Sequence, residues 1–114
     1  MSAVTTESTG GTYHIRLASM RASWFPETVR RIMSDLPDGA DAIIDLCGVH
    51  EVDRFSARAF GDALCGAARR GVSLAVAAND ATIRRTLLRE RADRWASIAS
   101  DMSSARRLLG LLEA

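Results

Sequence analysis

Four side chains able to do acid–base or nucleophilic work fall within the short stretch "CGVHEVD": Cys47, His50, Glu51 and Asp53. A thiol, an imidazole and two carboxylates are the parts from which a nucleophile and its base, or a small-ligand site, are built. Their spacing works against both. His50 and Glu51 are adjacent, so their side chains need not converge, and Asp53 stands where a helix opens. No glycine-rich phosphate loop, nucleophile elbow or metal-ligand spacing occurs in the chain. All fifteen basic residues are arginine, which excludes a phosphate-loop lysine, a Schiff-base lysine and a kinase-type strand lysine. The stretch reads as a solvated loop. The expectation is a protein that is not an enzyme, with no catalytic residue, metal or cofactor, and with small-ligand binding at the sheet edge left open.

The two cysteines do not form a redox pair on this reading. Cys47 ends a strand and Cys65 lies well into the next helix, roughly 16 Å back across the sheet at about 1.5 Å per residue. Both read as small reduced hydrophobes. With 114 residues the chain is one domain with a real core. Fifteen positive and fourteen negative side chains leave a formal charge of +1, so no global field steers it to nucleic acid or anionic lipid. No apolar run approaches the roughly 18 residues of a bilayer crossing, and "MSAVTTESTGG" lacks the features of a signal peptide, so a cytoplasmic location is expected.

The elements that must position the loop are legible from periodicity. Residues 1–11, rich in threonine, serine and glycine without an apolar period, read as a flexible tail ahead of a domain over 12–114. "TYHIRLA" alternates Tyr13, Ile15 and Leu17 against His14 and Arg16, a strand with His14 pointing away from the core. "WFPETVRRIMSDLP" repeats Phe25, Val29, Ile32, Met33 and Leu36 as an amphipathic helix, with Arg30 and Arg31 facing water. "DAIIDLCGV" and "VSLAVAAN" have the composition of strands covered on both faces. Between them runs a helix over 53–71, and "DATIRRTLLRERAD" forms another behind the cap Asp80. "WASIAS" supplies a short strand, after which Asp101 caps a last helix carrying Ala105, Leu108, Leu109 and Leu112. This alternation predicts an α/β domain with a small, mostly parallel sheet and about four helices, joined by right-handed crossovers. Functional residues in such sheets gather where strands end and helices begin.

At 100° per residue, the helix after Asp53 puts Ser56, Ala57, Phe60, Ala63, Leu64, Ala67 and Ala68 on the sheet side. Arg54, Arg58, Asp62, Cys65 and Arg69 fall opposite, and Phe55 falls with them. Either Phe55 folds back onto Val49 or Val52, or it is a docking knob between two arginines, the kind of aromatic that anchors protein interfaces.

These residues also carry a likeness. The strand ending in Asp45-Leu46, the Gly48-Val49 turn, Val52-Asp53 opening a helix, Arg69-Arg70-Gly71 before a second buried strand, and the closing "SARRLL" helix resemble the STAS domain of bacterial anti-sigma factor antagonists. The likeness covers roughly residues 12 to 112. It implies a single STAS-like domain that binds an anti-sigma factor doubling as a serine kinase of the histidine-kinase-like ATPase fold, in partner-switching control of transcription. In the family the aspartate is followed by two hydroxyl residues and a glycine, and the second hydroxyl is phosphorylated. A phosphate there is welcomed by the helix N-terminus, yet adds nearly two charges to the docking surface. Matched position by position, Asp53 stands for the aspartate, Arg54 for the first hydroxyl, Phe55 for the phosphoacceptor and Ser56 for the glycine. Phe55 cannot be phosphorylated, and a register slipped by one would make Ser56 the substitute. The family's early Gly-Glu-Leu-Asp turn is also replaced, by Ser19, Met20, Arg21 and Ala22. The partner-binding set implied is Asp53, Arg54, Phe55, Ser56, Arg58 and Asp62.

Three other readings stand beside this one. The domain is alternatively a STAS subunit of another assembly, such as a lipid-transport ATPase complex or a signalling scaffold, or it is a small-ligand sensor. Arg84, Arg85, Arg89, Arg91 and Arg94 raise nucleic-acid binding, but the same segment holds Glu90 and Asp93 and reads as a solvated face, so no nucleic-acid partner and no membrane insertion are expected. Trp24 and Trp95 read as either core or contact residues, and oligomeric state is left open.

Overall fold

The structure, a computed structural model, describes residues 4–18 and 25–110. Ten elements follow one another: β1 (Val4–Thr9), β2 (Thr12–Ala18), α1 (Phe25–Asp35), β3 (Asp41–Gly48), α2 (Arg54–Arg69), β4 (Ser73–Ala77), α3 (Ala81–Arg89), a 3₁₀ turn (Ala92–Arg94), β5 (Ser97–Ala99) and α4 (Met102–Leu108). The five strands lie side by side in chain order. β1 and β2 are antiparallel, and every later pair is parallel.

That order dictates the layers. Right-handed crossovers that always step in the same direction must place their helices on the same face of the sheet. Accordingly Val29 and Met33 of α1, Phe60 and Leu64 of α2, and Ile83 and Leu87 of α3 share one core with Ile15, Ile44 and Val76 of the strands. α4 follows the last strand and folds back over the other face, where Ala105 packs with Ile43, Ala75, Ala77 and Ala99. The consecutive residues Ala42 to Leu46 of β3 are all buried, as a strand covered on both sides requires. The α/β class, the parallel sheet and the four helices agree with the sequence reading.

Two local expectations need correction. The stretch expected as a flexible tail, residues 1–11, instead contains β1, which pairs with β2 from Val4↔Leu17 to Thr9↔Thr12. Gly10 and Gly11 turn the hairpin with φ of 57° and 85°, the conformation of a two-residue I′ turn that matches strand twist. The helix expected over 80–93 stops at Arg89. Arg91 takes a left-handed φ of 61°, which breaks the helix and lets Ala92 enter the core. In the last helix, Ala105 and Leu109 make the contacts with the sheet, and Leu108 is 55% exposed. The expectations for residues 19 to 22, Trp24 and Leu112 lie outside the described residues.

One arginine ties two helices together. Arg70, which ends α2, donates to the carbonyl oxygens of Met33 and Leu36, the latter at 2.6 Å. Those carbonyls belong to the end of α1 and the turn after it, where a cation is favoured.

Candidate functional site

The loop after β3 positions the start of α2 by a cap. Asp53 is extended (φ −84°, ψ 174°), and its Oδ1 accepts from the Ser56 backbone N–H at 2.7 Å. Val49 and Val52 pin the loop by entering the core, while His50 and Glu51 remain exposed. The carboxylate of Asp53 is therefore occupied in starting the helix.

Once the helix is started, its phase fixes the neighbours. Ser56 is buried at 1% exposure beneath the first turn, with Ala57 and Phe60 following it into the core. Phe55 is 74% exposed, so it does not fold back onto Val49 or Val52. Arg54 and Arg58, one turn apart, reach the same carboxylate: Arg54 Nε lies 3.5 Å from Glu90 Oε2 and Arg58 Nε 3.3 Å from Glu90 Oε1. The Glu90 side chain is 9% exposed, whereas those of Arg54 and Arg58 are 81% and 70% exposed. Arg54, Phe55, Arg58 and Glu90 together line a shallow depression.

Of the residues expected at the site, the structure gathers Arg54, Phe55 and Arg58. Asp62 lies about two turns farther along α2 and lines a separate groove with Arg30, Ser34 and Arg70. Glu90 was not among the expected residues. It comes into place because the turn after α3 lies against α2 at Gly61, where a Cβ would meet the Glu90 carbonyl oxygen at 3.9 Å and Ala92 Cα at 4.0 Å, ordinary van der Waals contact. No pattern in the sequence pointed to it, since the meeting of Glu90 with α2 depends on tertiary packing around the buried Gly61.

The remaining candidates are dispersed. Cys47 sits on the α4 side of the sheet, and burial, aided by its hydrogen bond with Asp45, raises its thiol pKa above the ordinary 9.0. A thiol held protonated is a weak nucleophile. Asp45 itself is buried, accepting from the Cys47 N–H at 2.9 Å and pairing with Arg16 at 3.3 Å. With Glu7, His14, Ile15 and Met102, these two borders form a cleft of about 150 Å³ on the sheet face that α4 leaves open. His14 does point away from the main core, as expected, and lies 3.4 Å from Arg106 Nη1. Arg84 is directed inward to the Ala78 carbonyl at 2.6 Å, and Arg94 lies over the half-buried Trp95 ring at 5.8 Å, so the five arginines of the α3 segment do not form one stripe. Among the described residues no cluster of three or more His, Cys, Asp or Glu could hold a metal ion, and no helix is long and apolar enough to cross a membrane.

No family model matches the chain, and no curated protein does. Solved structures do. A serine-to-glutamate variant of RsbS from Moorella thermoacetica is 16% identical, with a TM-score of 0.71 over 96% of each chain. SpoIIAA, described as an anti-sigma factor antagonist in its unphosphorylated form, is 17% identical with a TM-score of 0.64 over 97% of this chain and 100% of its own. The protein TM1081, solved by NMR, is 17% identical with a TM-score of 0.64 over 90% of this chain and 84% of its own. At these identities the likeness shows the fold alone, a single α/β domain with the STAS fold of these neighbours.

Proposed function

We propose that the protein is a non-enzymatic interaction module of the anti-sigma antagonist type, acting in the cytoplasm, whose docking surface is the start of α2. The observation that carries this reading is the pair Phe55 and Ser56. The side chain at the position of a phosphoacceptor is an aromatic standing 74% exposed, and the only neighbouring hydroxyl is 1% exposed. A kinase needs the hydroxyl in reach, and phosphate on Ser56 would require nearly two charges under the first turn of α2, against the core. Docking is therefore constitutive, without phosphate control at this position. The partner is an anti-sigma factor of the histidine-kinase-like ATPase fold, or its counterpart in another STAS-containing assembly.

The test is intact-mass and phosphopeptide mapping of the protein from its own cells, and of purified protein incubated with ATP and candidate serine kinases of that fold. The expected outcome is no phosphate on Ser56, and transfer to Phe55→Ser. Phosphate on Ser56 of the unaltered protein would refute the constitutive reading.

A further inference from the structure

Arg54 and Arg58 are not consumed by their ion pairs. A guanidinium carries five N–H donors in a planar fork. Each of the two contacts Glu90 through Nε, and among the described residues neither makes another hydrogen bond or ion pair. Two positive charges thus share one carboxylate, which is itself nearly buried and cannot reach a partner. The two exposed guanidinium groups lie along one edge of the helix beside Phe55, held there by a common anchor at the end of α3. At the end of α3 Arg89 and Arg91 are exposed, as is Asp93.

The N-terminal side of this surface has the opposite sign. Glu51 and Asp53 are exposed on the loop that enters α2. A continuous phosphate backbone laid across Phe55 would run from the arginines onto these carboxylates, which disfavours nucleic acid. A protein surface with discrete carboxylates beside an apolar pocket fits both flanks: the carboxylates meet Arg54 and Arg58, and the pocket receives Phe55.

Accordingly we propose that the Arg54–Glu90–Arg58 clamp presets the docking surface for an acidic protein partner, with Phe55 as anchor and paired guanidinium–carboxylate contacts at its side. This rests on the docking surface proposed above and adds the chemistry of what docks. Holding the forks in place before binding reduces the side-chain ordering that association would otherwise require.

The probe is an amphipathic helical peptide with a leucine face bordered by glutamates, compared with its lysine-bordered twin and with a short DNA duplex. Each is titrated into the isotope-labelled full chain at near-physiological salt, following backbone amide shifts. The glutamate peptide is expected to shift Arg54, Phe55, Arg58 and Glu90 saturably, and to bind at least about tenfold more tightly than the twin or the duplex, a difference of about 1.4 kcal/mol. Arg54→Gln with Arg58→Gln should lower its affinity about tenfold, while Phe55→Ser weakens both peptides alike. Preference for the duplex, preference for the lysine peptide, no shift near Phe55, or indifference to the double arginine change would each overturn the inference. A lysine peptide that binds at Phe55 would do so while leaving the docking face itself standing, whereas phosphate found on Ser56 would remove the constitutive reading and leave the acidic-partner chemistry to be judged by the titration.

Discussion

Phe55 and Phe60 occupy the same helix and differ in almost everything that determines their worth. Phe60 is fully buried, in contact with the core between α2 and the sheet, so its truncation removes a large transfer term and leaves a cavity. Phe60→Ala is expected to cost about 3–5 kcal/mol in urea unfolding. Phe55→Ala should stay within about 0.5 kcal/mol, since the side chain is mostly in water, and should act on partner binding alone. A comparable stability loss at both positions would mean that Phe55 belongs to the core after all. The placement of these two rings was legible in the sequence, because 100° steps from Asp53 separate residue 55 from residues 56 and 60. Glu90 was not legible, since its distance from Arg54 and Arg58 depends on how two helices cross at Gly61. The two Glu90 pairs contribute little to stability, below about 1 kcal/mol together, because both guanidinium groups are largely in water. Their effect is on position.

At the scale of elements, three helices start in the same way. Asp53, Asp80 and Asp101 each turn a carboxylate oxygen onto N–H groups of the first turn, at 2.7 Å in the shortest contact of each. The caps were readable as aspartates preceding apolar periods; the ends were less so, since Arg91 ends the α3 segment without a glycine. For Asp101 the hydrogen bonds from Ser104, backbone first and then side chain, hold the carboxyl pKa below its ordinary 3.8. A lowered folded-state value means the contribution is present above about 3.8 and is lost as pH falls through the still lower folded value. α4 has only seven residues, too few to persist without its cap and its packing. Its helical backbone shifts should therefore weaken on acidification below pH 3.8, and Asp101→Asn, which keeps a capping oxygen but cannot ionise, should flatten that dependence. An unchanged pH profile in Asp101→Asn would assign the acid response elsewhere.

At the scale of the whole molecule, the sheet gains its first strand from a segment whose composition concealed it. "VTTEST" has no apolar alternation, so period-two reasoning passes over it; threonine's preference for extended backbone and the following Gly10-Gly11 pair were the available signals. The main core, by contrast, was written in runs such as Ala42 to Leu46, where every residue is buried and Ala42, Ile44 and Leu46 form its apolar face. Removing residues 1–10 would turn β2 into an edge with unpaired N–H and C=O groups. The truncated protein is expected to unfold at lower urea concentration and to self-associate on concentration, as size-exclusion chromatography would show; a monomer of unchanged stability would mean β1 is dispensable. The agreement of strand order with chain order has a further consequence for how the molecule assembles. Each strand pairs with the one made just before it, so each parallel pairing closes a single crossover connection built on a helix. Only α4 breaks the pattern: the floor it covers is β3, β4 and β5 together, so its site is complete only when the last strand has joined.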